Sequence, residues 1–200
     1  LHPTIAGGAA HQPATDTSFR PLPGRPDATT IRVQRAPGAR DPLDLVKAAK
    51  RPVVLAGIGA TRAGATSSLT RFAETASIPV VVSPMSKGVF PEDHPLFAGV
   101  LDMACNQVLW DLLGSSDLII AAGFDAVELI KPWSIDTEVL HVDALENSDQ
   151  IYASDVECVG DIGAVLDWFS DEWTGQARWT EKDVETHREH LRTSYYSGRV

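Results

Sequence analysis

The apolar positions of this chain fall in short, nearly continuous runs separated by polar stretches of helical length. Runs at Pro52–Ala56, Pro79–Val82, Leu118–Ala122 and Val139–Val142 lack the polar-apolar alternation of a half-exposed strand. Strands buried on both faces of a parallel sheet read this way. Between them the pattern predicts helices over Ala63–Ala76 and Cys105–Leu113, a short helix near Val127–Ile130, and a loop or helical turn at Leu145–Gln150. A short strand Glu157–Val159 and a helix Ile162–Trp173 close the series. Strands alternating with helices at this spacing predict an α/β fold. The expected form is a doubly wound, roughly six-stranded parallel sheet with helices on both faces, of Rossmann-like type.

The two ends read differently. Residues 1–40 are rich in Pro, Gly, Ala and Thr without a period, the pattern of an extended, partly disordered linker. Thr30–Val33 is a possible ordered anchor within it. A helix over Asp41–Lys50 follows, with Asp41 as N-cap and Pro42 at the first helical position. The central domain is expected over 41–173. Residues 174–200 turn polar and helical from Glu181 to Thr193, and read as a linker helix leaving the domain. Neither end looks like the edge of a finished domain: the chain starts at Leu1 rather than Met and stops in mid-linker, so a fragment is expected.

Composition narrows the function classes. The 17 Lys and Arg against 27 Asp and Glu give a net charge of −10, and no basic cluster is present, which argues against nucleic acid. No apolar run approaches the roughly 20 residues of a membrane span, and no basic segment followed by an apolar one marks a signal peptide. A cytoplasmic protein is expected, with Cys105 and Cys158 as reduced core thiols. The six histidines show no ligand spacing, so no metal site is expected from this chain.

In an open α/β sheet ligands bind beyond the carboxyl ends of the strands. The first loop there is Gly57-Ile58-Gly59-Ala-Thr-Arg62. It is either a phosphate site at a helix start or a structural turn, with Arg62 as pyrophosphate partner or solvated helix-start residue. It is not a full GxGxxG. Gly123-Phe-Asp125 follows the candidate strand Leu118–Ala122. Asp143 could accept from a ribose hydroxyl or cap the turn after it, and Asp161 is read as an N-cap. Glu92-Asp93-His94 between Pro91 and Pro95 reads as a surface turn. Trp110, Trp168 and Trp173 read as packing residues. No nucleophile elbow, P-loop or Ser/His/Asp pattern occurs.

Five segments in order carry a resemblance: RPVVLAGIGATRAGA at 51–65, IPVVVSPMSKGVFPEDHPLFAGVL at 78–101, DLIIAAGFD at 117–125, VLHVDA at 139–144 and VGD at 159–161. Over roughly 42–173 the chain resembles the central domain of the thiamine-diphosphate-dependent enzymes, of which acetolactate synthase is a member. The resemblance implies a parent enzyme with a pyrimidine-binding domain before this module and a diphosphate-binding domain after it. Those partners would hold thiamine diphosphate and Mg2+. The catalytic glutamate and the GDG magnesium motif belong to them, and Gly160-Asp-Ile-Gly163 is not that motif. No catalytic residue is therefore expected in this chain.

The resemblance also implies where relatives that hold FAD or ADP place their dinucleotide contacts: here Gly57, Ile58, Gly59, Ser83, Met85, Leu101, Gly123, Asp143, Ala144, Gly160 and Asp161. One departure bears on this. FAD-binding synthases carry two arginines in a GxRFDxR segment, whereas this chain has Gly123-Phe-Asp-Ala-Val-Glu128, closer to the FAD-independent type. Each missing charge-assisted bond is worth about 1.5–3 kcal/mol, so an empty or structural cleft is expected. Three readings follow. The first is a non-catalytic, dimer-bridging central domain of a 2-keto acid decarboxylase/carboligase forming a homo-oligomer. The alternative is a free-standing adenine-dinucleotide (FAD/ADP) binding module of the same fold. A sirtuin-like NAD-consuming enzyme lacks its Gly-Ala-Gly-x-Ser loop.

Overall fold

The computed structural model describes residues 16–21, 30–101, 106–129, 132–147, 152–176 and 179–197. Eight strands form one mixed sheet: β1 (Asp16–Pro21), β2 (Thr30–Arg35), β3 (Pro52–Ala56), β4 (Val80–Val82), β5 (Phe97–Val100), β6 (Leu118–Ala122), β7 (Val139–Asp143) and β8 (Val156–Val159). Their order is β1-β2-β8-β7-β6-β3-β4-β5. The six strands from β8 to β5 run parallel. Beyond β8, β2 and then β1 add antiparallel. The α/β class is as the sequence predicts, and so are five of the six parallel strands, but the sheet is wider and mixed. The extra pair comes from the segment read as a linker: Ile31 and Val33 alternate with polar neighbours and are buried, enough apolar surface to join an edge.

Among the described residues six α-helices accompany the sheet: α1 (Pro42–Ala48), α2 (Ile58–Arg62), α3 (Thr66–Ala76), α4 (Asn106–Gly114), α5 (Ile162–Asp171) and α6 (Glu181–Tyr196). Caps fix several boundaries. Asp41 accepts from the Leu43 N–H with Pro42 behind it, and Asp161 accepts from the Ala164 N–H, each such cap contributing about 1 kcal/mol. The helix predicted over Ala63–Ala76 is split. A helix begins already at Ile58, and Gly64 at φ +63° turns the chain before α3 starts. Two short 3₁₀ turns, Pro84–Ser86 and Ala126–Glu128, sit in the loops after β4 and β6.

Every residue of β3 is buried, and its side chains divide between two cores. Val54 and Ala56 join Leu69, Phe72, Val165 and Phe169 on the side of α3 and α5. Val53 and Leu55 join Leu109, Leu113, Phe124 and Trp179 on the side of α4. Two-sided burial is why the run is apolar throughout. Trp110 and Trp168 are core residues, and Trp173 packs at the edge of the first core.

β5 lies in a stretch to which the sequence pattern assigns no element, because Pro95 and Gly99 interrupt its apolar run; the strand pairs β4 across a register shift at Val80/Val81. The C-terminal helix is docked rather than departing. Trp179 is 6% exposed, its Nε1–H donates to the Pro52 carbonyl at 2.7 Å, and His187 Nε2 donates to the Ala98 carbonyl at 2.8 Å. Cys158 is buried, and burial pushes its thiol well above the usual range; Cys105 lies outside the described residues, as do the last turns of the Leu145–Gln150 loop.

Candidate functional site

The chain runs outward from β3 through β4 to β5, then returns to the other side of β3 as β6. Strand order therefore reverses between β3 and β6, the place where an open α/β sheet leaves its ligand crevice. Gly57 follows β3 and Gly123 follows β6, and at this point the two loops interlock. Gly57 N–H donates to the Ala122 carbonyl and Gly59 N–H to the Gly123 carbonyl, at 3.0 and 2.8 Å. Gly123 has φ +59°, and a Cβ there would lie 2.1 Å from the Ala60 nitrogen. A Cβ on Gly59 would lie 2.8 Å from Gly123 Cα. The glycines are required for backbone to approach backbone.

The floor of this crossing is occupied by Glu128, on the 3₁₀ turn after β6 and only 7% exposed. Both its carboxylate oxygens accept from the Ile58 N–H, at 3.1 Å each. Oε1 also accepts from the Asp125 N–H at 3.1 Å, and Oε2 from the hydroxyl of fully buried Ser83. Ser83 is held in turn by Ser86: Ser83 N–H donates to Ser86 Oγ, which donates to the Ala56 carbonyl. A Cβ on Gly57 would come 2.5 Å from Glu128 Oε1, so Gly57 also makes room for this carboxylate.

Asp143 ends β7 beside the crossing. Its Oδ1 accepts from the Leu145 N–H at 3.3 Å, and its Oδ2 lies 3.0 Å from where a Gly59 Cβ would be. Behind it, buried His141 donates from Nε2 to the Leu145 carbonyl and places Nδ1 2.8 Å from the Tyr152 hydroxyl, which donates to the Phe124 carbonyl. Burial first, then the Asp143 carboxylate, push the Tyr152 phenol well above its usual range. Glu157 accepts from Ser154 and the Asn147 N–H.

The structure gathers Gly57, Ile58, Gly59, Ser83, Gly123 and Asp143 at one crossing. The other predicted residues lie apart from it. Arg62 is exposed in the last turn of α2. Met85 is 56% exposed on the 3₁₀ turn after Ser83, and Leu101 is fully buried in the second core. Ala144 is exposed in the turn that Asp143 caps. Gly160 packs against Ile31 of β2, and Asp161 caps α5. Glu92-Asp93-His94 is a surface turn, with His94 3.2 Å from Glu74. The sequence reading assigned Glu128, Ser86, His141 and Tyr152 no role. The one available sign was a carboxylate three residues beyond Asp125.

Chemically, the crossing sets neutral donors, the Ile58 and Asp125 amides and the Ser83 hydroxyl, around the Glu128 carboxylate. The described residues contain no group of three or more His, Cys, Asp or Glu that could hold a metal ion. The Ile58 and Asp125 amides, which a ligand phosphate could otherwise meet at this crossing, are taken by Glu128. Among the described residues, no helix is long and apolar enough to cross a membrane.

Comparison with known proteins agrees with this topology. Residues 40–169 match the family described as "Thiamine pyrophosphate enzyme, central domain". A probable acetolactate synthase large subunit of Methanocaldococcus jannaschii is 36% identical over 62% of this chain and 23% of its own length. The acetolactate synthase large subunit of Corynebacterium glutamicum is 33% identical over 72% and 24%. A 2-hydroxyacyl-CoA lyase of Oryza sativa is 26% identical over 84% and 30%. The chain thus spans less than a third of each of these relatives. A thiamin-diphosphate-dependent enzyme structure from Mycobacterium smegmatis superposes with TM-score 0.58 at 29% identity, over 67% of this chain and 27% of that one. The chain belongs to the family of thiamine pyrophosphate enzyme central domains.

Proposed function

We propose that this chain is the non-catalytic, subunit-bridging central module of a thiamine-diphosphate-dependent, acetolactate-synthase-like enzyme. The parent decarboxylates a 2-keto acid such as pyruvate and transfers the two-carbon unit. Thiamine diphosphate and Mg2+ are held by the pyrimidine-binding and diphosphate-binding domains on either side, in a cytoplasmic homo-oligomer. The crevice at Gly57, Gly59, Gly123, Asp143 and their neighbours is a vestigial dinucleotide site.

The observation that carries this reading is the crossing at β3 and β6, where the fold's usual ligand crevice is filled by the chain's own backbone and by Glu128. The two acids among the predicted residues bond backbone N–H groups: Asp143, at the crossing, that of Leu145, and Asp161, at the start of α5, that of Ala164. They anchor turns and present no acid–base pair to a substrate.

The second reading, a free-standing FAD- or ADP-binding module, draws on the position of the glycine crossing at the point of strand reversal. Calorimetric titration of the purified chain with FAD and ADP separates the two. The scaffold reading expects no binding and no flavin absorbance. It also expects 2-keto acid turnover only when the chain is joined to the two flanking domains. Micromolar binding that Asp143→Ala abolishes would replace it with the second reading.

A further inference from the structure

The donors around Glu128 come from three separate places: the Ile58 amide after β3, the Asp125 amide after β6 and the Ser83 hydroxyl after β4. Among the described residues, the hydrogen-bond partners of this nearly buried carboxylate are neutral donors. Converging backbone amides with a hydroxyl are the donor type that receives a phosphate oxygen. The seat is deep, since Gly57 has no side chain to spare: a Cβ there would stand 2.5 Å from the carboxylate and 2.4 Å from Phe124 Cα.

We propose that Glu128 is the specificity-determining residue of this crevice, an internal anion that occupies the seat a ligand phosphate would need. While it is in place, phosphate-bearing ligands are excluded twice. The amides are already bonded, and a second anion beside a poorly solvated carboxylate is repelled. Being tethered, the carboxylate faces an effective concentration that a free phosphate at cellular level does not match. Removing the carboxylate while keeping the loops turns the closed crossing into an anion site. The inference goes beyond the scaffold role, since it names the residue that keeps the crevice shut.

The test uses the full chain with inorganic pyrophosphate, acetate and chloride at matched ionic strength, read by thermal melting and calorimetry. The wild-type melting temperature is expected to be indifferent to all three. Glu128→Ala is expected to melt lower and to recover saturably with pyrophosphate or acetate but not chloride, binding pyrophosphate about tenfold or more tighter than wild type. Glu128→Gln, which keeps the shape and loses the charge, is expected to melt lower too, because an amide N–H2 must then face donors. The proposal is overturned if wild type binds pyrophosphate as well as Glu128→Ala does, or if Glu128→Ala stays folded and answers to no anion. Should Glu128→Ala fail to fold without anions, refolding in pyrophosphate reads the same seat: recovery supports the proposal and failure overturns it. The scaffold reading is judged separately, by turnover of the chain joined to its flanking domains.

Discussion

The crossing of β3 with β6 and the flank formed by β5 with α6 invert the usual assignment of interior and surface. At the crossing, where α/β folds leave room for a ligand, backbone lies on backbone and Glu128 fills what remains. At the flank, where the sequence reads a departing linker, α6 lies against β5 and leaves a groove of about 490 Å³. That groove is lined by Phe97, Leu109, Leu191, Arg188 and Arg192, with Tyr195 and Tyr196 59% and 81% exposed at its rim. The difference teaches that a fold's customary binding position and its open surface are set by separate residues. Glycines at 57, 59 and 123 allow close approach, and whether a ligand or a side chain then enters depends on a residue such as Glu128.

The contrast breaks most sharply at glycine. Gly123→Ala adds a Cβ 2.1 Å from the Ala60 nitrogen at a residue with φ +59°. Chemical denaturation should show a loss of about 3 kcal/mol or more, enough to leave much of the protein unfolded. Gly114→Ala, at the end of α4 with nothing within 4 Å of the new atom, should stay within about 0.5 kcal/mol of wild type. Equal losses would dissolve the distinction.

The flank is probed next by Trp179→Ala, which empties a buried site and removes the bond to the Pro52 carbonyl. A loss of about 3–5 kcal/mol is expected, together with faster proteolysis within 179–197. Unchanged stability would mean that α6 is only a tether.

The smallest expected effect is in pH. Burial, opposed by the bond to Ala98 and reinforced by His190, holds His187 below its ordinary value of 6.5. The unfolded chain therefore binds this proton more readily than the fold does, so stability falls as pH drops through about 6.5 and levels off below the folded value. Melting from roughly pH 7.5 to roughly pH 5.5 should show a slope that His187→Gln flattens; an identical slope in both would assign it elsewhere.

Local signals made much of this fold legible. The run Pro52-Val-Val-Leu-Ala56 declares a strand buried on both faces, and Asp41 and Asp161 announce their helices through side-chain bonds spanning two or three residues. β5 was hidden because its strand character depends on pairing with β4, not on its own Phe-Ala-Gly-Val run. The docking of α6 was hidden because the helix is mostly polar, with Val184 its one buried residue, and its anchor, Trp179, reaches a carbonyl 127 residues earlier. At the candidate site the glycines could be read and the occupant could not. Glu128 meets Ile58 across 70 residues, and a carboxylate three places beyond Asp125 looks like any helix-start acid until the loops are brought together.

The addition of β2 to the far edge of the sheet has a consequence for how the chain is made. Arg32 pairs in register with Val159, so this strand leaves the ribosome well before its partner exists. At about 5–20 residues per second the wait is roughly 6–25 s. Throughout it, Ile31 and Val33, which end up almost wholly buried, have no sheet to join. The nascent chain can close β3, β4, β5, β6 and β7 in turn, but β2, with β1 paired to it, is stitched on only after β8 emerges. A chaperone that holds the β1–β2 segment during synthesis would therefore raise the yield of this protein more than one acting on its later segments.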